Sequence, residues 1–151
     1  MEKWDRILRA ENVLIGLRAK RNMAAIRELA GVLDGDEAIL DHKGFLADII
    51  RREQQASTGI GHGVAVPHAH EDSIRRQILA VGISKDGVDF GAVDGAPVQI
   101  LALLATPKKH HKKHMELLAS LSRLLQHEDV RQGLLRAADA DQVLEIFKTG
   151  K

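Results

Sequence analysis

Between Ser57 and His70 the chain places three histidines, three glycines and one proline around the short apolar run Val64-Ala65-Val66. Small, turn-forming residues wrapped around one rigid element are characteristic of a loop that carries a site. His68 follows Pro67 directly. Proline fixes its own φ and removes a backbone donor, so strand pairing is expected to stop there and leave the imidazole at a sheet edge. Just upstream, Ser57, Thr58, Gly59 and Gly61 are small residues whose backbone N–H groups could approach an anion closely. An imidazole beside such a loop is either a nucleophile toward phosphorus or a ring that satisfies a turn carbonyl, and a Pro-His pair alone favours the second.

A second histidine shifts that balance. His114 precedes Leu118, Leu121 and Leu125 at steps of four, three and four, which puts it on one helical face with them, near the helix start. A histidine there is either buried and satisfied or part of a site. His110 and His111 belong to the run from Lys108 to His114, which reads first as a solvated basic surface. His110 and His114 have the i, i+4 spacing of a helical metal site, but the glutamate of an HExxH motif is missing and four lysines crowd the pair. No metal and no cofactor is assigned. Arg51 and Arg52 are expected to close a helix and to complement its dipole.

The elements that must hold these groups follow from periodicity. Residues 12–17 have strand character, and Ala24, Ile26, Leu29, Ala30 and Leu33 recur at helical spacing. A further helix is expected from Asp41 as cap, with Phe45, Leu46, Ile49 and Ile50 inward. Strands over 78–84 and 98–106 are nearly continuous apolar runs, as for central strands covered on both faces, and Gly87, Gly91 and Gly95 between them read as turns. Past Pro107 a helix is expected with Met115, Leu118, Leu121 and Leu125 as its apolar stripe, then a shorter one over 129–137. Asp139 and Gln142 resemble a capping box ahead of Val143, Leu144, Ile146 and Phe147. Interleaved helices and strands give an α/β fold: a single domain over 1–151, with a mixed, mostly buried β-sheet flanked by helices.

Composition narrows the function classes. The chain has 151 residues, 44% hydrophobic and 28% charged, which is enough to bury a core without cross-links. Lys plus Arg number 22 against 21 Asp plus Glu, and aromatics are only 3%, so nucleic acid is not an expected partner. Cysteine is absent, which excludes disulfides and thiol catalysis. The longest apolar run, 100–105, is too short to span a bilayer, and the charged start lacks a signal-peptide core. A cytoplasmic protein without membrane insertion is the expectation.

The stretch Arg52-Glu53-Gln54-Gln55-Ala56-Ser57-Thr58-Gly59-Ile60-Gly61-His62-Gly63-Val64-Ala65-Val66-Pro67-His68 closely resembles the signature of enzyme IIA domains of the fructose, mannitol and nitrogen-regulatory type in the bacterial phosphoenolpyruvate-dependent phosphotransferase system. The order of elements from Val13 to Phe147 fits the same family, and His114 falls where the family carries its second active-site histidine. The resemblance implies the type-2 IIA fold and a phosphotransferase whose phosphoacceptor is His68. The donor would be the phosphohistidine of the phosphocarrier HPr or of its nitrogen-branch relative. His114 would neutralise developing charge, and Arg52 matches a conserved arginine position, which extends its role beyond end-capping. Downstream, the resemblance implies either a stand-alone nitrogen-regulatory IIA acting on a kinase or transporter, which the chain's length favours, or a sugar-specific IIA that passes phosphate to a IIB domain. A regulatory binding module without turnover is the remaining alternative. Ala69-His70 and the basic run 108–113 depart from commoner members and bear on partner identity.

Phosphoryl transfer asks the protein for a positioned acceptor and for donors on the equatorial oxygens. His68, Arg52, His114 and the segment Ser57, Thr58, Gly59 and Gly61 are the candidates for these parts. The acceptor imidazole must be neutral, so transfer is expected to weaken at pH well below its pKa.

Overall fold

Phe45, Ile49 and Glu53, at steps of four, are the buried residues of one helix, and that helix runs alongside the strand that begins at His68. The computed structural model describes residues 3–150. In chain order the elements are α1 (Lys3–Ile7), β1 (Val13–Ile15), α2 (Asn22–Ala30), α3 (His42–Gln55), β2 (Gly59–Gly61), β3 (Val64–Ala65), β4 (His68–Glu71), β5 (Ile78–Val88), β6 (Val98–Pro107), α4 (His111–Gln126), α5 (Glu128–Arg136) and α6 (Ala140–Thr149). The strands form one six-stranded mixed sheet in the order β1-β5-β6-β3-β2, with β4 also pairing β6. The α/β class read from the interleaved pattern is therefore the observed one.

β5 and β6 lie at the centre, antiparallel to each other, and alternate residues feed two separate cores. Ile78, Ala80, Leu101, Leu103 and Ala105 pack with α2 and α3 on one face. Leu79, Val81, Ile83, Ile100, Ala102 and Leu104 pack on the other with α1, α4, α5 and α6. Their near-continuous apolar sequence is the consequence of being covered on both sides.

Local signals hold at the caps. The Asp41 carboxylate accepts from the Gly44 N–H at 3.1 Å, and the Asp139 carboxylate from the Gln142 N–H at 3.0 Å. Each satisfies a donor that a helix start leaves open. In the second case the Gln142 side chain reaches back to the Ala138 N–H rather than to that of Asp139.

The structure shifts several helix faces by one position. Ala25, not Ala24, is buried in α2, and α4 buries His114, Leu117, Leu121, Leu124 and Leu125 while Met115 stays 53% exposed. In each case the contacts choose among adjacent apolar side chains that periodicity alone leaves equivalent. α3 continues to Gln55, three residues past Arg52, so Arg52 sits in its last turn rather than ending it. Gly87 belongs to β5, and a Cβ there would lie 2.8 Å from the Pro97 ring, a close approach that requires glycine. The helix α1, whose Trp4 meets Phe147 edge-on at 5.4 Å, was not expected.

Pro67 does not end the pairing. β3 and β4 both run parallel to β6 with an unchanged offset, Val64 opposite Ile100 and His68 opposite Leu104. The Pro67 carbonyl still accepts from the Leu104 N–H at 3.0 Å, so the register passes through the proline intact. The N–H and C=O of a strand residue point to the same side, so the donor that Pro67 lacks is one rung of the β6 ladder, omitted without shifting the register.

Because Phe45 is fully buried and anchors the helix that runs alongside β4, Phe45→Ala is expected to lower the unfolding free energy by about 3–5 kcal/mol. The shift of the urea midpoint at unchanged slope measures it.

Candidate functional site

Period-two alternation along 64–70 turns Val64, Val66, His68 and His70 to one face of the sheet, the face that Val64 and Val66 share with α4. His68 is half-buried there, and its Nδ1 lies 2.9 Å from the Val66 carbonyl oxygen. A carbonyl can only accept, so Nδ1 carries the proton and donates it, and Nε2 keeps the free lone pair. Burial pushes the imidazole pKa below the usual 6.5, the Val66 hydrogen bond opposes this in part, and the Arg52 charge pushes it down further. The ring is therefore neutral at pH 7 and nucleophilic at Nε2.

His114 sits in the first turn of α4, 4% exposed, with its Nδ1 2.7 Å from the Thr106 hydroxyl of β6. Its ring centre is 5.3 Å from that of His68 and 4.7 Å from that of His70, on which it stacks within 10° of parallel. His111 joins the group, 5.6 Å from His70. Desolvation, then the nearby charges that His68, His70 and His111 would carry, lower the His114 pKa to about 4. His70 Nε2 is buried without a hydrogen-bond partner, so stacking rather than a hydrogen bond at that atom positions the ring.

The third wall is α3. Asp48, Arg51, Arg52 and Gln55 follow the i, i+3, i+4, i+7 pattern of one helical face, and with His68, His70 and His114 they line a cleft of about 280 Å³. Arg52 donates from Nη1 to the Ala56 carbonyl at 2.8 Å, so it caps the helix and lines the cleft at once. Arg51 pairs with Asp48 at 3.3 Å, which leaves the Arg52 charge as the cation beside His68. The arrangement offers a neutral nucleophilic nitrogen, a guanidinium and a second neutral imidazole around a space open to solvent.

The structure brings Arg52, His68 and His114 together, as expected, but not Ser57, Thr58, Gly59 and Gly61, none of which lines the cleft. The Thr58 N–H and hydroxyl donate to the buried Glu53 carboxylate at 2.8 and 2.6 Å, and the Gly59 N–H donates to Ser57 Oγ at 3.0 Å. Gly61 is held in the β2–β3 pairing. The Thr58 and Gly59 N–H groups are already used and the segment lies outside the cleft, so what the small residues suggested as an anion-cradling loop is here a brace between α3 and β3. Gly59 is needed for close packing, since a Cβ there would lie 2.8 Å from that of Ala92. His110 is the α4 N-cap residue and makes no side-chain capping bond. Among the described residues no group of three or more His, Asp and Glu is placed to hold a metal ion, and no helix is long and apolar enough to cross a membrane.

Residues 6–150 match the sequence model of the family described as "Phosphoenolpyruvate-dependent sugar phosphotransferase system, EIIA 2". The chain belongs to this family. Among its relatives, a fructose-specific EIIABC component of the phosphotransferase system from Bacillus subtilis is 35% identical over 96% of this chain. The chain spans 23% of that protein's length. A nitrogen regulatory protein from Pseudomonas aeruginosa is 30% identical over 97% of this chain and 95% of its own length. Among solved structures, the nitrogen regulatory protein IIA-Ntr from Neisseria meningitidis superposes with a TM-score of 0.87 at 26% identity, covering 93% of this chain and 96% of that one. Members of the IIA family are phosphotransfer proteins, and the chain is accordingly a phosphoryl carrier of the phosphotransferase system.

Within this IIA domain several site residues went unassigned in the sequence. Glu53 continues the Phe45, Ile49 spacing, and a carboxylate on an apolar helix face is a signal for a buried anchor. Asp48 and Gln55 share the helical face of Arg52, which was available from spacing. Thr106 gave no such signal, because it closes an apolar strand and its role depends on a partner eight residues away.

Glu53→Ala leaves two buried Thr58 donors unpaired and is expected to cost about 1–3 kcal/mol in urea unfolding. A pH effect follows from His114. Its pKa is about 4 when folded and 6.5 in its ordinary state, so between these values the unfolded chain binds the extra proton. Stability then rises with pH across that window and is lost as pH falls from 6.5 through about 4. His114→Gln is expected to flatten the urea midpoint over the same window.

Proposed function

We propose that the chain accepts a phosphoryl group on His68 Nε2 from the phosphohistidine of an HPr-type phosphocarrier and passes it to a second protein. The observation that carries this is the Nδ1–H donation from His68 to the Val66 carbonyl, which leaves Nε2 as the unprotonated atom beside Arg52 and His114. In the transfer the donor N–P bond breaks as the Nε2–P bond forms, and the leaving imidazole takes back the electron pair. Arg52 and His114 meet the equatorial oxygens, whose charge grows in a loose transition state. The donor N–P bond is labile, so positioning and cationic or N–H donors are sufficient for the step.

Two destinations for the phosphate have support. The 35% identity to a fructose-specific component favours a IIB-type acceptor in sugar uptake. The TM-score of 0.87 with a nitrogen regulatory IIA, together with near full-length alignment to a second such protein, favours regulation through phosphorylation-dependent binding to a kinase or transporter. Transfer from the phosphorylated chain to a fructose-type IIB domain separates them: rapid transfer supports the first, and retention of the phosphate supports the second.

Incubation with phosphoenolpyruvate, enzyme I and a phosphocarrier is expected to add one phosphate by intact mass, and none to His68→Ala. Absence of any gain in the wild type would sink the carrier mechanism. Arg52→Ala and His114→Ala are expected to fold and to slow transfer by about 10²–10³-fold, as for other groups that stabilise transition-state charge. The rate should fall on the acid side with a midpoint below 6.5, because burial lowers the His68 pKa and protonation consumes the Nε2 lone pair.

A further inference from the structure

β6 carries Thr106 between two neighbours in the sheet. On one side His70 pairs with it in the parallel β4–β6 ladder. On the other side the antiparallel β5–β6 register places Ile78 opposite Ala105 and therefore Gln77 opposite Thr106. Residues paired across strands share a face, so Gln77, Thr106 and His70 form one row beneath the first turn of α4. Two hydrogen bonds join this row to the cleft: Gln77 Nε2 donates to Thr106 Oγ1 at 3.2 Å, and Thr106 Oγ1 lies 2.7 Å from His114 Nδ1.

Gln77 biases the polarity of this chain from its outer end. An amide nitrogen can only donate, so Thr106 Oγ1 accepts from Gln77, and its own proton is free for His114 Nδ1. Thr106 is fully buried, so bulk solvent does not reach its hydroxyl, and His114 Nδ1 is the acceptor within hydrogen-bond range. An Nδ1 that accepts makes His114 the Nε2–H tautomer. In an imidazole the two nitrogens point to well-separated directions, so with Nδ1 aimed at the sheet, Nε2–H is aimed away from it. Stacking on His70 fixes the plane of the ring, and the Thr106 hydroxyl fixes its rotation within that plane.

We infer that Thr106 and Gln77 are positioning residues for phosphoryl transfer: the relay from Gln77 Nε2–H through the Thr106 hydroxyl to His114 Nδ1 locks His114 as a neutral Nε2–H donor toward the phosphoryl group. The two histidines are thus held in opposite tautomers by opposite partners. His68 donates from Nδ1 to a carbonyl and keeps a bare Nε2 for attack, whereas His114 accepts at Nδ1 from a hydroxyl and presents Nε2–H. The difference lets two adjacent imidazoles divide the roles of nucleophile and donor without either being charged. The inference rests on the proposed carrier function, but its structural half is measurable without it.

Imidazole ¹⁵N shifts and couplings of the unphosphorylated protein at pH 7 test the tautomer. His114 is expected to show a bare Nδ1 and a protonated Nε2, and His68 the reverse. Thr106→Val keeps the side-chain shape but removes the hydroxyl, and it should convert His114 to mixed tautomers. Phosphorylation of His68 at saturating carrier should then slow about 10- to 100-fold with little change in the carrier KM, by analogy with the loss on removing a hydrogen-bond partner that orients a metal-bound imidazole. Thr106→Ser should restore both tautomer and rate. Gln77→Leu should relax the tautomer through Thr106 without touching His114, which keeps the test available if Thr106→Val folds poorly. A protonated His114 Nδ1 in the wild type, or an unchanged tautomer in both Thr106→Val and Gln77→Leu, would overturn the relay. Absence of wild-type phosphorylation would instead count against the carrier function, with the tautomer result still deciding the relay.

Discussion

The parallel pairing of residues 64–71 with β6 is the constraint on which the cleft depends. It runs through Pro67 without a change of offset, so the side-chain alternation set at Val64 is still in phase at His68 and His70. A slip of one residue would turn both rings to the face of Ala65 and Ala69, against α2 and α3, and away from α4. The apolar residues on both faces make such a slip costly. A core-packing pattern thus fixes the position of a reactive nitrogen.

Burial then does electrostatic work. Both His68 and His114 are pushed toward the neutral form, chiefly by desolvation, in a cleft that also holds Arg51 and Arg52. Neutral rings serve a phosphoryl carrier in two ways. In the proposed transfer the acceptor keeps its lone pair at working pH, and the second ring donates a hydrogen bond without adding a third positive charge to the cleft. The basic run 108–113 remains outside: its lysines are exposed, and only His111, through His70, and His114 enter the histidine group. Glu53 anchors the opposite wall, tying the last turn of α3 to Thr58 and so holding Arg52 beside the edge strand.

Much of this was legible in the chain itself. Asp41 and Asp139 cap where their spacing placed them, and the two central strands read as continuously apolar because both of their faces are covered. His68 and His114 stood out by residue type and position, Arg52 through the family resemblance, and the three line one cleft. The segment Ser57 to Gly61 misled, because small residues look alike whether they cradle an anion or permit close packing. What separates those cases is where the N–H groups go, and here Glu53 and Ser57 take those of Thr58 and Gly59.

The sequence alone determined features set by near neighbours: helix caps, the period of each apolar face, and the candidate groups for phosphate chemistry. The tertiary structure decided which of those groups meet and in what protonation pattern. Gln77, Thr106, His70 and His114 come from four different segments, and only strand register and the placement of α4 bring them into hydrogen-bond and stacking range. Tautomers follow from such contacts, because a proton's location on an imidazole is set by the partner across a few ångströms of space rather than by the residues beside it in the chain.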